Sequence, residues 1–83
     1  MKKYWVYILQ SLSNGSFYTG STKNLDKRVN EHNRGRNKFT KANRPWKIIH
    51  QESMNRYSDA VKRERFLKSG VGRQRLKGIL TKP

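Results

Sequence analysis

Two tyrosines, an arginine, a histidine and a glutamate hold most of the chemical potential of this 83-residue chain. Tyr7 sits in an aromatic and β-branched run over 4–10, and Tyr18 in a short run over 17–19. Both runs read as strands. Asn14-Gly15 between them is a strong hairpin dipeptide. A two-residue turn there sets Tyr7 opposite Thr22 and Tyr18 opposite Ser11, with both tyrosines on one sheet face; an odd-length loop would separate them. Arg28 and His32 are four apart in a segment where Leu25, Val29 and His32 recur at helical spacing, so they share one helix face. A guanidinium grips two phosphate oxygens at once, and an imidazole exchanges a proton near neutrality. Glu64 falls among Ala60, Val61 and Leu67, on the apolar face of a helix expected over 59–68. A carboxylate placed there needs a cation. A divalent metal is one answer, because Mg²⁺ takes one or two protein carboxylates and keeps its waters. A structural pair with Arg28, or with a neighbouring Lys or Arg, is the other. The tyrosines likewise have an ordinary use as core aromatics, and Arg28 with His32 as a solvated helix edge.

The elements that must position these residues follow from punctuation and periodicity. Asn24 suits the N-cap of a helix over 25–33, with Asp26 in its first turn. Residues 33–45 form a long basic loop, a type that is often functional or mobile. Pro45 opens a third strand over 46–50. Ser58 suits the cap of the helix over 59–68, which Ser69-Gly70 ends. Val71, Leu76, Ile79 and Leu80 suggest a short final helix. The order β-β-α-β-α-α describes an α+β fold: a small three-stranded antiparallel sheet flanked by helices, one domain over 1–83.

Charge indicates the partner. Twenty Lys and Arg against five Asp and Glu give a formal charge of +15 and a pI near 10.9. Nucleic acid is the leading polyanion, and an anionic membrane surface is second. The membrane reading fits poorly, because Glu64 interrupts the apolar face of 59–68. Lys23, Arg34, Arg36, Lys38, Lys41, Arg44, Arg63, Lys68 and Arg73 are the candidates for phosphate contact, and Phe39, Trp46, Tyr57 and Phe66 are interleaved as stacking platforms. The length excludes dinucleotide-fold dehydrogenases, barrel enzymes and kinases. No apolar run approaches the roughly 20 residues of a membrane span. The chain has no cysteine, which removes disulfides and thiolate metal sites and suits a reducing cytoplasm.

Together these residues resemble the GIY-YIG nuclease superfamily. Trp5-Val6-Tyr7 stands where the first triplet belongs and Tyr18-Thr19-Gly20 where the second belongs, with the expected hairpin between them. Gly20-Ser21-Thr22-Lys23-Asn24-Leu25 then runs into the helix bearing Arg28 and His32, and Glu64 follows on a later helix. Lys38-Phe39-Thr40, Arg44-Pro45-Trp46-Lys47 and Arg63-Glu64-Arg65-Phe66-Leu67-Lys68 resemble further signatures of the small stand-alone bacterial members. The resemblance implies phosphodiester hydrolysis with one divalent metal, Mg²⁺ or Mn²⁺, held by Glu64. It implies that Arg28 binds the scissile phosphate, that Tyr7 or Tyr18 takes a proton from the attacking water or orients it, and that His32 assists. A free tyrosine with pKa near 10 is a poor base, so the positive field is expected to lower that value. Repair or recombination of DNA is the implied setting. Two positions depart from the family pattern: Trp5 replaces the first glycine, and no asparagine follows Asn55. The alternative reading is a non-catalytic nucleic-acid-binding module. With no second domain expected, target choice would rest on substrate structure or on a protein partner.

Overall fold

The computed structural model describes residues 3–72 and 74. Strands β1 (Tyr4–Ser11), β2 (Phe17–Thr22) and β3 (Trp46–Met54) form an antiparallel sheet in the order β2-β1-β3. Helices α1 (Leu25–Asn33) and α2 (Tyr57–Lys68) pack on it, and a short 3-10 turn covers Lys41–Asn43. The expected α+β architecture is present. Residues 70–72 and 74 are helical, while the rest of the expected final helix, and Arg73, lie outside the described residues. Among the described residues no helix is long and apolar enough to cross a membrane.

β1 is apolar on both faces because each face meets a helix. Val6 and Ile8 pack with Ala60 and Leu67 of α2; Tyr7 and Leu9 pack with Leu25 of α1 and with Trp46. All eight of these side chains are buried, four from the central strand. A register shift opposite Ile8/Leu9 lets β3 serve both layers, with Ile48 on the α1 side and Ile49 on the α2 side. On the α2 side Glu52 receives two hydrogen bonds from Arg63, at 2.8 and 3.0 Å, and one contact from His50 Nε2 at 2.7 Å. This forked pair fixes α2 to the sheet and holds the Glu52 carboxyl below its usual range, Arg63 being the largest cause.

The hairpin differs from expectation in register. Tyr7 stands opposite Gly20, and Tyr18 opposite Leu9. The turn is longer than Asn14-Gly15 because side chains build it. Ser11 Oγ accepts from the Ser13 and Asn14 amides, Asn14 Oδ1 accepts from the Ser16 amide, and Gly15 takes φ +77°. The even-length loop keeps both tyrosines on one face. The two-residue shift also brings them within ring contact, which the expected register would not.

Two helix starts can be compared. Asn24 caps α1 as expected, its side chain accepting from the Lys27 amide at 3.1 Å. Ser58 does not cap α2: the helix begins at Tyr57, Arg56 is the cap residue, and no side chain bonds the free amides. β3 also runs four residues past the expected end at His50. The long basic loop is pinned by hydrogen bonds. Leu12 donates to Pro45, Ser11 Oγ to Asn43, and Asn33 both donates to and accepts from the Trp46 backbone.

Candidate active site

Gly20 explains how the site is possible. A Cβ at that position would lie 2.7 Å from the Tyr7 hydroxyl, 2.8 Å from Tyr7 Cζ and 3.1 Å from a Tyr18 ring carbon. The Tyr7 ring therefore lies across β2 where β2 has no side chain. Tyr7 is 1% exposed, yet its hydroxyl meets His32 Nε2 at 2.9 Å.

His32 is the hub. It is fully buried, and its Nδ1 meets Thr40 Oγ1 at 2.8 Å. In the tautomer protonated at Nδ1, His32 donates to Thr40 Oγ1, whose own proton turns toward the Asn37 carbonyl 3.4 Å away. Nε2 is then bare and accepts from the Tyr7 hydroxyl. The Tyr18 ring lies 4.9 Å from the imidazole and 6.4 Å from Tyr7, centroid to centroid. Strand, helix and loop thus converge on one imidazole. Burial, with Arg28 nearby, pushes the His32 pKa down to about 4. The ring is neutral at pH 7, where the sequence suggested a group poised near neutrality.

Burial likewise pushes Tyr7 up to about 12, and the Arg28 guanidinium opposes that shift without reversing it. The expected lowering by the positive field does not occur, because the burial of Tyr7 outweighs the opposing pull of Arg28. Arg28 is part-exposed and donates to Glu31 Oε1 at 3.2 Å. Burial works against its charge, but Tyr7 and Glu31 hold its pKa above the usual value. Glu64 lies on α2 between the buried Ala60 and Leu67, half-buried, with Lys68 Nζ 2.8 Å from its Oε2. The cation that answers Glu64 here is thus a neighbouring lysine. Its charge is nonetheless felt at the Tyr7 hydroxyl.

Among the described residues no group of three or more His, Asp or Glu side chains could hold a metal ion. A lone carboxylate fits Mg²⁺ or Mn²⁺ if water and substrate supply the other oxygens. Of the remaining acids, Glu31 is paired with Arg28 and Glu52 with Arg63, while Asp26 and Asp59 stand in the first turns of α1 and α2.

Lys23, Arg34, Arg36, Lys38, Lys41 and Arg44 are all exposed, and five of them crowd the segment on either side of Thr40. Arg63 faces Glu52 instead, and Lys68 faces Glu64. Of the expected platforms, Phe39 is 74% exposed, whereas Trp46 is buried with its Nε1 donating to the Thr40 carbonyl. Sequence reasoning missed Gly20 as the clearance for Tyr7, Thr40 as the His32 partner, and Glu31 as the Arg28 partner. A small hydroxyl residue amid a cationic loop was the available signal for Thr40.

The GIY-YIG catalytic domain matches residues 3–77. A UPF0213 protein of Staphylococcus epidermidis is 41% identical over 80 residues, spanning 95% of this chain and 96% of that one. Another from Syntrophus aciditrophicus is 40% identical and spans 100% and 97%. The solution structure of the UPF0213 protein BH0048 from Bacillus halodurans superposes with a TM-score of 0.59 at 27% identity, covering 98% of this chain and 88% of that one. With the match running from the first strand through both helices, the chain belongs to the GIY-YIG family, among its small UPF0213 proteins.

Proposed function

We propose that this protein is a divalent-metal-dependent endonuclease that hydrolyses phosphodiester bonds, with DNA as the favoured substrate. GIY-YIG membership points to a nuclease and a nucleic-acid substrate. The observation that carries the finer reading is the convergence of Tyr7, Tyr18, Arg28 and His32 at one point on the sheet.

In this reading Arg28 binds the scissile phosphate, and its fork matches two oxygens whose charge grows in the transition state. His32 acts through Tyr7. As a neutral acceptor held by Thr40, it takes the Tyr7 proton in a hydrogen bond and turns the oxygen lone pairs outward. Tyr7, with its pKa pushed up to about 12, orients the attacking water by accepting from it rather than removing its proton in the resting state. Tyr18 borders the same water position. Glu64 is the residue that would hold Mg²⁺ or Mn²⁺, with Lys68 exchanged for the metal. When bound, the metal supplies stabilisation of the leaving oxygen. The exposed cations of residues 34–44, with Lys23, track the backbone, consistent with action on nucleic acid in the cytoplasm. DNA repair or recombination is the setting we favour.

The test is nicking of supercoiled plasmid with Mg²⁺, Mn²⁺ or EDTA, beside Glu64→Gln and Arg28→Ala prepared identically. Metal-dependent nicking by the wild type, lost in both variants while Glu64→Gln still binds DNA, is the expected result. Equal nicking by all three proteins would assign the activity to a contaminant. Binding without nicking would leave the non-catalytic module as the reading.

A further inference from the structure

Trp5, which stands where the first triplet of the family carries glycine, lines a groove not used above. The groove holds about 330 Å³, at the small end of ligand sites. Trp5, Leu25 and Ile48 supply apolar surface, and Lys23, Asp26 and Gln51 polar groups. Trp5 is only half-buried, although its face of β1 otherwise packs inward. Lys23 makes no ion pair among the described residues and lies 5.8 Å from the Tyr4 ring. The place of this groove is informative. Trp5 and Tyr7 are two residues apart on one strand face, about 7 Å. Leu25 opens the helix that carries Arg28 one turn later.

We propose that the groove is a nucleotide subsite, in which an unpaired base stacks on the Trp5 indole, next to the nucleotide whose phosphate lies at Arg28. This rests on the nuclease reading and extends it to a preference for single-stranded or unpaired nucleic acid. The Trp5 indole is the aromatic face of this groove; the other tryptophan, Trp46, is 4% exposed, and the more exposed Phe39 and Tyr57 lie outside the groove lining. Lys23, whose ammonium rests over the Tyr4 ring in the free protein, would turn to the phosphate of the stacked nucleotide. The Asp26 carboxylate accepts from an exocyclic amino group, as on cytosine, and the Gln51 amide both donates and accepts. A duplex cannot enter in this way, since its bases are already stacked and paired.

The probe is single-stranded oligo(dC), titrated while intrinsic tryptophan emission is followed, beside an abasic strand of equal length. Oligo(dC) is expected to quench wild-type emission, and Trp5→Phe, which leaves only Trp46, is expected to bind about as well with no quenching. Trp5→Leu keeps an apolar side chain without a π-face and should lose about tenfold in affinity for oligo(dC), the scale of one stacked base. Both proteins should bind the abasic strand equally. Circular dichroism checks each fold, and the Trp5→Phe arm stands if Trp5→Leu does not fold. Binding without quenching, quenching that survives in Trp5→Phe, or equal oligo(dC) affinity of Trp5→Leu and wild type would overturn the subsite and leave the nuclease reading intact. No binding of either strand would overturn both.

Discussion

Gly20→Ala isolates the contact that shapes the site. The backbone at Gly20 is ordinary strand, so conformation alone favours alanine there by about 0.5–1 kcal/mol. Against that gain stands a Cβ 2.7 Å from the Tyr7 hydroxyl and 2.8 Å from Cζ, closer than such atoms are found. The ring end of an exposed tyrosine would swing aside at little cost. Tyr7 is 1% exposed and bonded to His32, so ring and imidazole must move together. Overpacking of this kind costs about 1–3 kcal/mol. The contact outweighs the strand preference, and the expected net loss is about 1–2 kcal/mol, a fall in Tm of roughly 5–15 °C for a chain this size. Thermal and urea unfolding measure it. The same substitution made in a Tyr7→Leu background meets no ring, so alanine should there stabilise by the strand term. The coupling in this double-mutant cycle should reach about 2 kcal/mol. A coupling near zero, or Gly20→Ala as stable as the wild type, would refute the claim that glycine is required for the tyrosine to lie over β2.

Three further outcomes are expected. His32 has a folded pKa pushed down to about 4, against about 6.5 for a free imidazole. The unfolded chain therefore binds the proton first, so stability should be full above pH 6.5 and fall by about 3 kcal/mol between there and pH 4; urea unfolding of His32→Gln, which has no such group, should lack that slope. Arg63→Ala should cost about 1–3 kcal/mol of stability by leaving the Glu52 carboxylate with His50 alone, with little change in DNA affinity, whereas Arg36→Ala should do the reverse; paired melting and filter-binding assays separate them. If about six phosphates are contacted, DNA affinity should fall about a thousandfold between 50 and 200 mM salt, and a flat salt profile would remove the polyanion surface from the account.

The elements were legible in the sequence because they depend on local rules. The aromatic run at 4–10, the Asn24 cap and the spacing of Leu25, Val29 and His32 each specify their element without help from the rest of the chain. The hairpin register was not legible from Asn14-Gly15 alone, because the Ser11 and Asn14 side chains compete for the turn amides and lengthen the loop. Ser58 has the right chemistry for a cap, but α2 begins before it, at Tyr57, with Arg56 as the cap residue. Long-range partners were the least legible. His32 reads as a surface proton-exchanger at helical spacing, and it is buried and neutral only because Thr40 returns from the loop to cover it. Glu64 was expected among Ala60, Val61 and Leu67 with a metal, Arg28 or an unspecified neighbouring Lys or Arg as its cation; it is half-buried between Ala60 and Leu67, and which neighbour, Lys68, was not legible.

The sheet order β2-β1-β3 has a consequence for how the site fails. Tyr7 stands on the strand paired on both sides, so its amide hydrogens should be among the slowest to exchange, released only by global opening. Arg28 and Glu64 are carried by helices docked on the outer layers, each held by a few buried side chains. Excursions that lift one helix and leave the sheet whole would scatter the phosphate ligand or the metal ligand while the central strand stays protected. Function and fold would then have different melting points, the site dissolving first.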